Sequence, residues 1–271
     1  GTLADKYGRR RIMIIGMVLF GLSSIAAAFV TTPDLLIGAR VIQGLGGAMV
    51  LPTTLSLVNA NFRGKERGIA FAIWGSTIGG MVAVGPLLGG WLTTDFSWRW
   101  AFGINIPLSI IIIIGALITV TESKEPTARR IDWMGAVLSV VALTALVFGL
   151  IEGRTYGWWL VNKPLTIGDV TWDSGISIIP LCFALFVIAT VWFIAHGISR
   201  QKRGKSTLIA FNLFKISSFT NGNLAAMIIS MGEFGIILSL PLWLQFVVGY
   251  DALQTGFVIL ALAIGAFVAS G

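Results

Sequence analysis

Two ionisable side chains stand inside long apolar runs of this sequence, Arg40 and Glu233. A charge in such a place is costly unless it is paired or hydrated, so each has two readings. Arg40 lies about five residues inside a run that starts near Leu35, or ~8 Å from its end at 1.5 Å per residue. It either snorkels to the nearby interface or serves a polar interior. Gln43, Gly44 and Gly47 share its helical face and favour the interior. A buried cation governs whether a nearby carboxylate holds its proton, so Arg40, Gln43 and Gly44 are candidates for proton coupling. Glu233 lies ten residues into a run that starts near Asn223, ~15 Å deep. It either hydrogen-bonds a neighbouring helix or acts as a substrate or proton site. Gly232 and Gly235 leave room beside it.

The remaining chemistry is sparse. The chain has one cysteine, Cys182, and one histidine, His196. They offer no nucleophile with its base and no metal-ligand set, and neither an enzyme nor a tightly held cofactor is expected. Cys182 reads as a small side chain in an apolar run. His196 reads as an interfacial residue beside a basic loop.

The opening segment, Gly1-Thr2-Leu3-Ala4-Asp5-Lys6-Tyr7-Gly8-Arg9-Arg10-Arg11, sets one acid among four cations just before a helix. It is either a basic loop that fixes topology or a charged latch. In the latch reading, Asp5 addresses the N-terminus of a neighbouring helix, whose dipole favours an anion. Further along, Gly75, Gly79, Ala83, Pro86 and Gly90 step by three or four residues and form one small-residue face. Such a face lets membrane helices pack closely, and Pro86 bends its helix. The face serves either packing alone or a close-packed interface between moving bundles.

These residues must be held by membrane helices. The 271 residues are 56% hydrophobic and 11% charged, against about 25% charged in a soluble domain. That excludes a soluble enzyme, a disordered tail and a nucleic-acid-binding domain. Eight runs approach or exceed the ~20 residues needed to cross a bilayer: Ile12–Val30, Leu35–Ala60, Gly68–Leu92, Ala101–Val120, Trp133–Ile151, Ile176–Ala195, Asn223–Val248 and Ala252–Gly271. Their continuity argues for helices rather than alternating barrel strands. The fold class is an all-α polytopic membrane protein. The chain opens in a charged loop and stops in an apolar run, so it reads as part of a longer protein.

The net charge of +7 is not spread evenly. Loops on the side of the first residues carry fifteen cations, and those on the other side three. The first side is therefore cytoplasmic, and the basic balance is a topology signal, not a nucleic-acid site. Trp98, Trp100, Trp158, Trp159 and Trp172 fall at external ends, where interfacial anchoring accounts for them. The longest external loop is Glu152–Gly175. The basic stretch Gly197–Ser218 is a linker whose Phe211, Leu213 and Phe214 suggest a short amphipathic piece at the membrane surface.

The order G-x-L-A-D-x-x-G-R-R, carried by Gly1, Asp5, Gly8, Arg9 and Arg10, resembles the cytoplasmic signature of the major facilitator superfamily. Arg40-Val41-Ile42-Gln43-Gly44 is similar to that family's Arg-x-x-Gln-Gly signature. Gly85-Pro86-Leu87-Leu88-Gly89-Gly90 is similar to its antiporter signature, although Met81 stands where the family often has glycine. Trp98 to Pro107, Asp132-Trp133-Met134-Gly135 and Leu240-Pro241-Leu242-Trp243-Leu244-Gln245 resemble the fourteen-span branch of drug:proton antiporters.

That resemblance implies helices three to ten of fourteen. Residues 1–121 would belong to the N-terminal bundle, 122–200 to two extra linker helices, and 201–271 to a linker and the first two helices of the C-terminal bundle. It implies proton-driven export of amphipathic compounds across the inner or plasma membrane by alternating access. The expected partners are a small-molecule substrate, protons and the bilayer, with no nucleic acid; whether an accessory partner exists stays open. The alternatives are the same fold moving a metabolite or siderophore, and a non-transporting membrane subunit.

Overall fold

The computed structural model describes residues 2–124, 131–167, 170–172 and 175–269. Within the described residues all eight apolar runs form helices. A short helix α1 (Thr2–Tyr7) leads into α2 (Arg9–Phe29), α3 (Pro33–Asn61) and α4 (Gly64–Asp95). The fourth run is divided at Ile104 into α5 (Trp100–Gly103) and α6 (Asn105–Thr119). Pro107 sits in the first turn of α6, where its missing N–H costs nothing. Then come α7 (Trp133–Tyr156), a small hairpin of β1 (Leu165–Ile167) and β2 (Val170–Trp172), and α8 (Ile178–Lys202). The last helices are α9 (Ser217–Trp243), extended by a π-turn over Leu244–Val248, and α10 (Ala252–Ala269). Among the described residues, six helical segments are long and apolar enough to cross a membrane by length and composition: Arg9–Phe29, Pro33–Asn61, Trp100–Thr119, Trp133–Tyr156, Ile178–Lys202 and Ser217–Val248.

Two sequence expectations need correction. The external loop starts later than expected, because α7 runs on through Glu152 and Gly153 to Tyr156. The loop also holds the β1–β2 hairpin, paired antiparallel with Thr166 opposite Thr171. The basic linker is shorter than expected, since α8 continues to Lys202 and α9 already begins at Ser217.

The chain divides into two compact units, residues 1–128 with 225–271, and residues 129–224. In the first unit α2 packs on α3 and α6, and α4 packs on α10. The α2–α3 crossing depends on two glycines. A Cβ on Gly46 would stand 2.7 Å from the Gly16 carbonyl oxygen, and one on Gly16 would stand 2.9 Å from that of Gly46. Backbone touches backbone there. Without a hydrophobic drive between helices in lipid, this close van der Waals contact is what holds them together.

In the second unit α7 packs on α8. Gly135, Leu138, Ala142, Ala145, Gly149 and Gly153 are the buried residues of α7. Their spacing of three and four puts them on one face. Asp132 caps α7 by accepting the Gly135 amide at 3.1 Å, and Ser177 caps α8 by accepting the Ile179 amide at 3.2 Å. Phe183 stacks on Trp158, ring centroids 6.5 Å apart.

Candidate functional site

The opening segment folds into a clasp. Gly8 turns the chain between α1 and α2 at φ 114°, a conformation that side chains resist. Arg9 returns to Asp5, with its guanidinium 2.8 Å from the carboxylate. The first amides of α2 have no partner inside the helix. Glu122, just past α6, supplies it. Its two carboxylate oxygens accept the amides of Arg10 and Arg11, each at 3.2 Å. The Arg9 amide donates to the Ser123 carbonyl at 3.0 Å, and the Arg10 guanidinium donates to the Val120 carbonyl at 3.1 Å. Thus the carboxylate seated on a helix N-terminus here is Glu122, while Asp5 is engaged by Arg9. Gly1 lies outside the described residues.

A Cβ on Gly8 would stand 2.7 Å from the Glu122 carboxylate. Glycine is therefore needed twice, for its backbone angle and for the space. Glu122 was missed in the sequence because nothing local links it to the opening loop. The only signal was an acid at the cytoplasmic end of the helix that follows the external Trp-rich turn.

A second polar cluster joins α2, α3 and α6. The Arg40 guanidinium donates to Gln43 Oε1 at 2.5 Å. The Gln43 amide, 2% exposed, donates to Ser24 Oγ at 2.6 Å. Ser24, itself fully buried, donates to the Phe20 carbonyl at 2.7 Å. Asn105 reaches the same Ser24 oxygen at 3.4 Å. Arg40 also lies over the Phe102 ring, 5.7 Å from its centroid. The structure therefore brings Arg40 and Gln43 together and adds Ser24, Phe102 and Asn105. Gly44 is not part of the cluster: it faces open space, as does Gly47, and Gly46 is the glycine that packs.

The antiporter segment lies in α4. Gly85 and Gly89 have open space where a side chain would go. Gly90 does not, since a Cβ there would collide with the Ala252 carbonyl at the start of α10. Pro86 lies within the continuous helix; its side chain is outside the described ones. Glu233 sits midway along α9 on an exposed surface. Its neighbours Gly232 and Gly235 are open. Among the described residues no hydrogen bond or ion pair joins it to Arg40, whose partners are Gln43 and Phe102.

The second unit holds a titratable cluster not foreseen as such. His196, expected at the interface, is half-buried with Nε2 3.1 Å from Asp132 Oδ1. Arg200 Nε lies 3.5 Å from Asp132 Oδ2 and donates to the Ser206 carbonyl at 3.0 Å. The Asp132 side chain is only 3% exposed. Burial pushes its carboxyl up, but the Gly135 amide, His196 and Arg200 outweigh this and hold it below the usual carboxylate range. The linker folds back here too. Residues Phe211–Lys215 form a 3₁₀ turn, and Phe211 packs on Gly197 and on Phe193, with ring centroids 6.0 Å apart.

The family model described as Major Facilitator Superfamily matches residues 1–271. The chain is 32% identical over 93% of its length to a probable actinorhodin transporter of Streptomyces coelicolor. It is 32% identical over its whole length to multidrug resistance protein 3 of Bacillus subtilis. It is 35% identical over 96% of its length to multidrug resistance protein Stp of Mycobacterium tuberculosis. The match covers 41%, 49% and 45% of these relatives, so the chain spans less than half of their length.

Proposed function

The chain belongs to the major facilitator superfamily, and from this premise we propose that it forms part of a proton-coupled exporter of drugs or similar amphipathic compounds. The protein crosses its membrane several times. We place it in the inner or plasma membrane, cytoplasmic loops on the cation-rich side. Residues 1–121 belong in this reading to one bundle, 122–200 to two linker helices and 201–271 to the start of the second bundle. Substrate and protons are its partners, and it converts no substrate chemically.

The observation that carries the proposal is the Arg40–Gln43–Ser24 chain of hydrogen bonds. It sets a cation against a buried amide about 10 Å into α3 at 1.5 Å per residue. A cation so held can favour the ionised form of a carboxylate that approaches it and so release that group's proton. Substrate is taken up near the midplane, as is common where two bundles rock about a fixed site. Gly1, Asp5, Gly8, Arg9 and Arg10 act as the latch, and Gly85, Pro86, Gly89 and Gly90 form the antiporter segment of α4, packed on α10 at Gly90 and open at Gly85 and Gly89. Glu233 meets substrate or proton. The names of two multidrug resistance relatives support the substrate class. The relative named for actinorhodin supports a second reading, a transporter of one particular solute.

The test uses the full-length protein in everted membrane vesicles. Uptake of a cationic dye should follow an imposed proton gradient. Arg40→Ala should abolish that dependence while leaving dye binding within about threefold. Arg40→Lys should rescue partly, since a point charge replaces a planar fork. Full proton-driven uptake by Arg40→Ala would remove Arg40 from the coupling site.

A further inference from the structure

A cavity of about 350 Å³ lies at the end of α4 that the charge bias places outside, between α4, the π-turn and α10. That volume falls in the range of small-molecule pockets. Nothing in the sequence singled it out beyond the two glycines at its edge. No charged side chain lines it among the described residues. Its polar groups are Thr93, Gln245 and Thr255, set among Gly90, Pro241 and Ile259.

Hydrogen-bond accounting says what such a cavity can take. Thr93 donates its hydroxyl hydrogen to the Gly89 carbonyl at 2.7 Å. Thr255, only 2% exposed, donates to the Asp251 carbonyl at 2.8 Å. Each hydroxyl has one hydrogen, so both now offer only lone pairs. Gln245 lies inside the π-turn over Leu244–Val248. Its side chain is exposed to the cavity and makes no hydrogen bond among the described residues, so it can both donate and accept. Pro241 lacks the N–H that would continue regular helical bonding, and π-turns of this kind often mark functional positions. The Gly90–Ala252 backbone contact closes one edge.

We infer that this cavity is a binding site for an uncharged amphipathic molecule that carries at least one hydrogen-bond donor. The donor meets the Thr93 oxygen, the Gln245 amide takes a second polar atom, and Pro241 meets the apolar part. Resting on the transport reading, the site is the last station of an exported substrate before release. A molecule bound there also wedges beside the contact between Gly90 and Ala252.

The test is chemical protection in the full-length protein, with native cysteines such as Cys182 replaced. Gln245→Cys should react with a maleimide added from outside. N-phenyl-1-naphthylamine, which is uncharged and has one N–H, should slow that reaction about tenfold. Its N-methylated analogue, with no donor, should slow it twofold or less. Thr93→Val in the same background should erase the difference between the two. Protection that is absent, or equal for both probes, would overturn the site, as would a cysteine that never reacts from outside. Because labelling needs no transport, protection without proton-driven export would retain the site and sink the transport reading. Export without protection would do the reverse.

Discussion

The side-chain amide of Gln43 donates to the Ser24 hydroxyl at 2.6 Å, across the interface of α2 and α3. The same amide group accepts from Arg40 on its other side. Gln43 thus couples a cation to the buried seam between two helices. Removing its polar head leaves Ser24 with only the longer bond from Asn105, at 3.4 Å, and takes from Arg40 its Gln43 acceptor. Leaving a buried group unpaired costs about 1–3 kcal/mol. Gln43→Leu should therefore lower the melting temperature in detergent, and it should weaken proton-gradient dependence as Arg40→Ala does. A variant with native melting and native coupling would show that the chain of bonds is incidental.

The Glu122 clasp predicts a stability effect separable from charge. Glu122→Ala removes both acceptors from the N-terminus of α2. Losing a helix cap costs about 0.5–2 kcal/mol. Glu122→Gln keeps one acceptor oxygen and should recover part of that loss in thermal melts. Asp5→Asn breaks the ion pair with Arg9 but spares the cap, so it should reduce transport with little change in melting. If Asp5→Asn transports normally, the opening loop is a topology signal alone.

The Asp132 cluster predicts a pH dependence with a definite sign. Its carboxyl titrates below its ordinary value in the folded protein. Such a group adds stability above its unfolded pKa, about 4, and that stability is lost as pH falls through the lower folded value. The contribution should stay constant from pH 7 to pH 5 and disappear only below about pH 4. Asp132→Asn should remove this acid-sensitive part. Asp132→Ala, which also strips the cap of α7, should cost about 3–5 kcal/mol, the usual result of breaking a buried pair. Equal acid sensitivity in wild type and Asp132→Asn would refute the assignment.

Glu233→Gln should keep the fold, because Glu233 is exposed on α9 among open glycines. Efflux of a cationic dye should fall several-fold while efflux of a neutral dye changes little. Equal efflux of both dyes would strike Glu233 from the site. Orientation has its own check: Ser199→Cys should label only from the cytoplasm and Thr166→Cys only from outside.

The helices were legible in the sequence because a bilayer imposes length and apolarity together. Departures within helices were not. The division at Ile104 and the π-turn over Leu244–Val248 change backbone bonding without changing hydropathy. The β1–β2 hairpin had a local signal, two short β-branched runs separated by Gly168-Asp169, which the length of the external loop obscured. In the sites, near pairs were readable and distant ones were not. Arg40 and Gln43 are one turn apart on a helix, and Asp5 and Arg9 are four residues apart across the Gly8 turn. Ser24 is 19 residues from Gln43, Glu122 is 112 from Arg10, and His196 is 64 from Asp132. Only tertiary packing can bring such partners together. The choice of Gly46 over Gly44 as the packing glycine depends on the rotation of α3, since the two stand about 200° apart around the helix, and a small-residue motif does not specify that rotation.

The separation of Glu122 from the turn it fastens also has a consequence for biogenesis. During synthesis at about 5–20 residues per second, the 112 residues between Arg10 and Glu122 take roughly 6–22 s to appear. Throughout that interval the ribosome and insertion machinery handle an α2 whose leading amides have no carboxylate. The cation-rich loop can still orient the helix at once, because charge acts before folding does. The seal comes later, when the end of α6 arrives. A nascent chain truncated before residue 122 should therefore be oriented but unclasped, its Gly8 turn open to protease, and extension past Ser123 should close it.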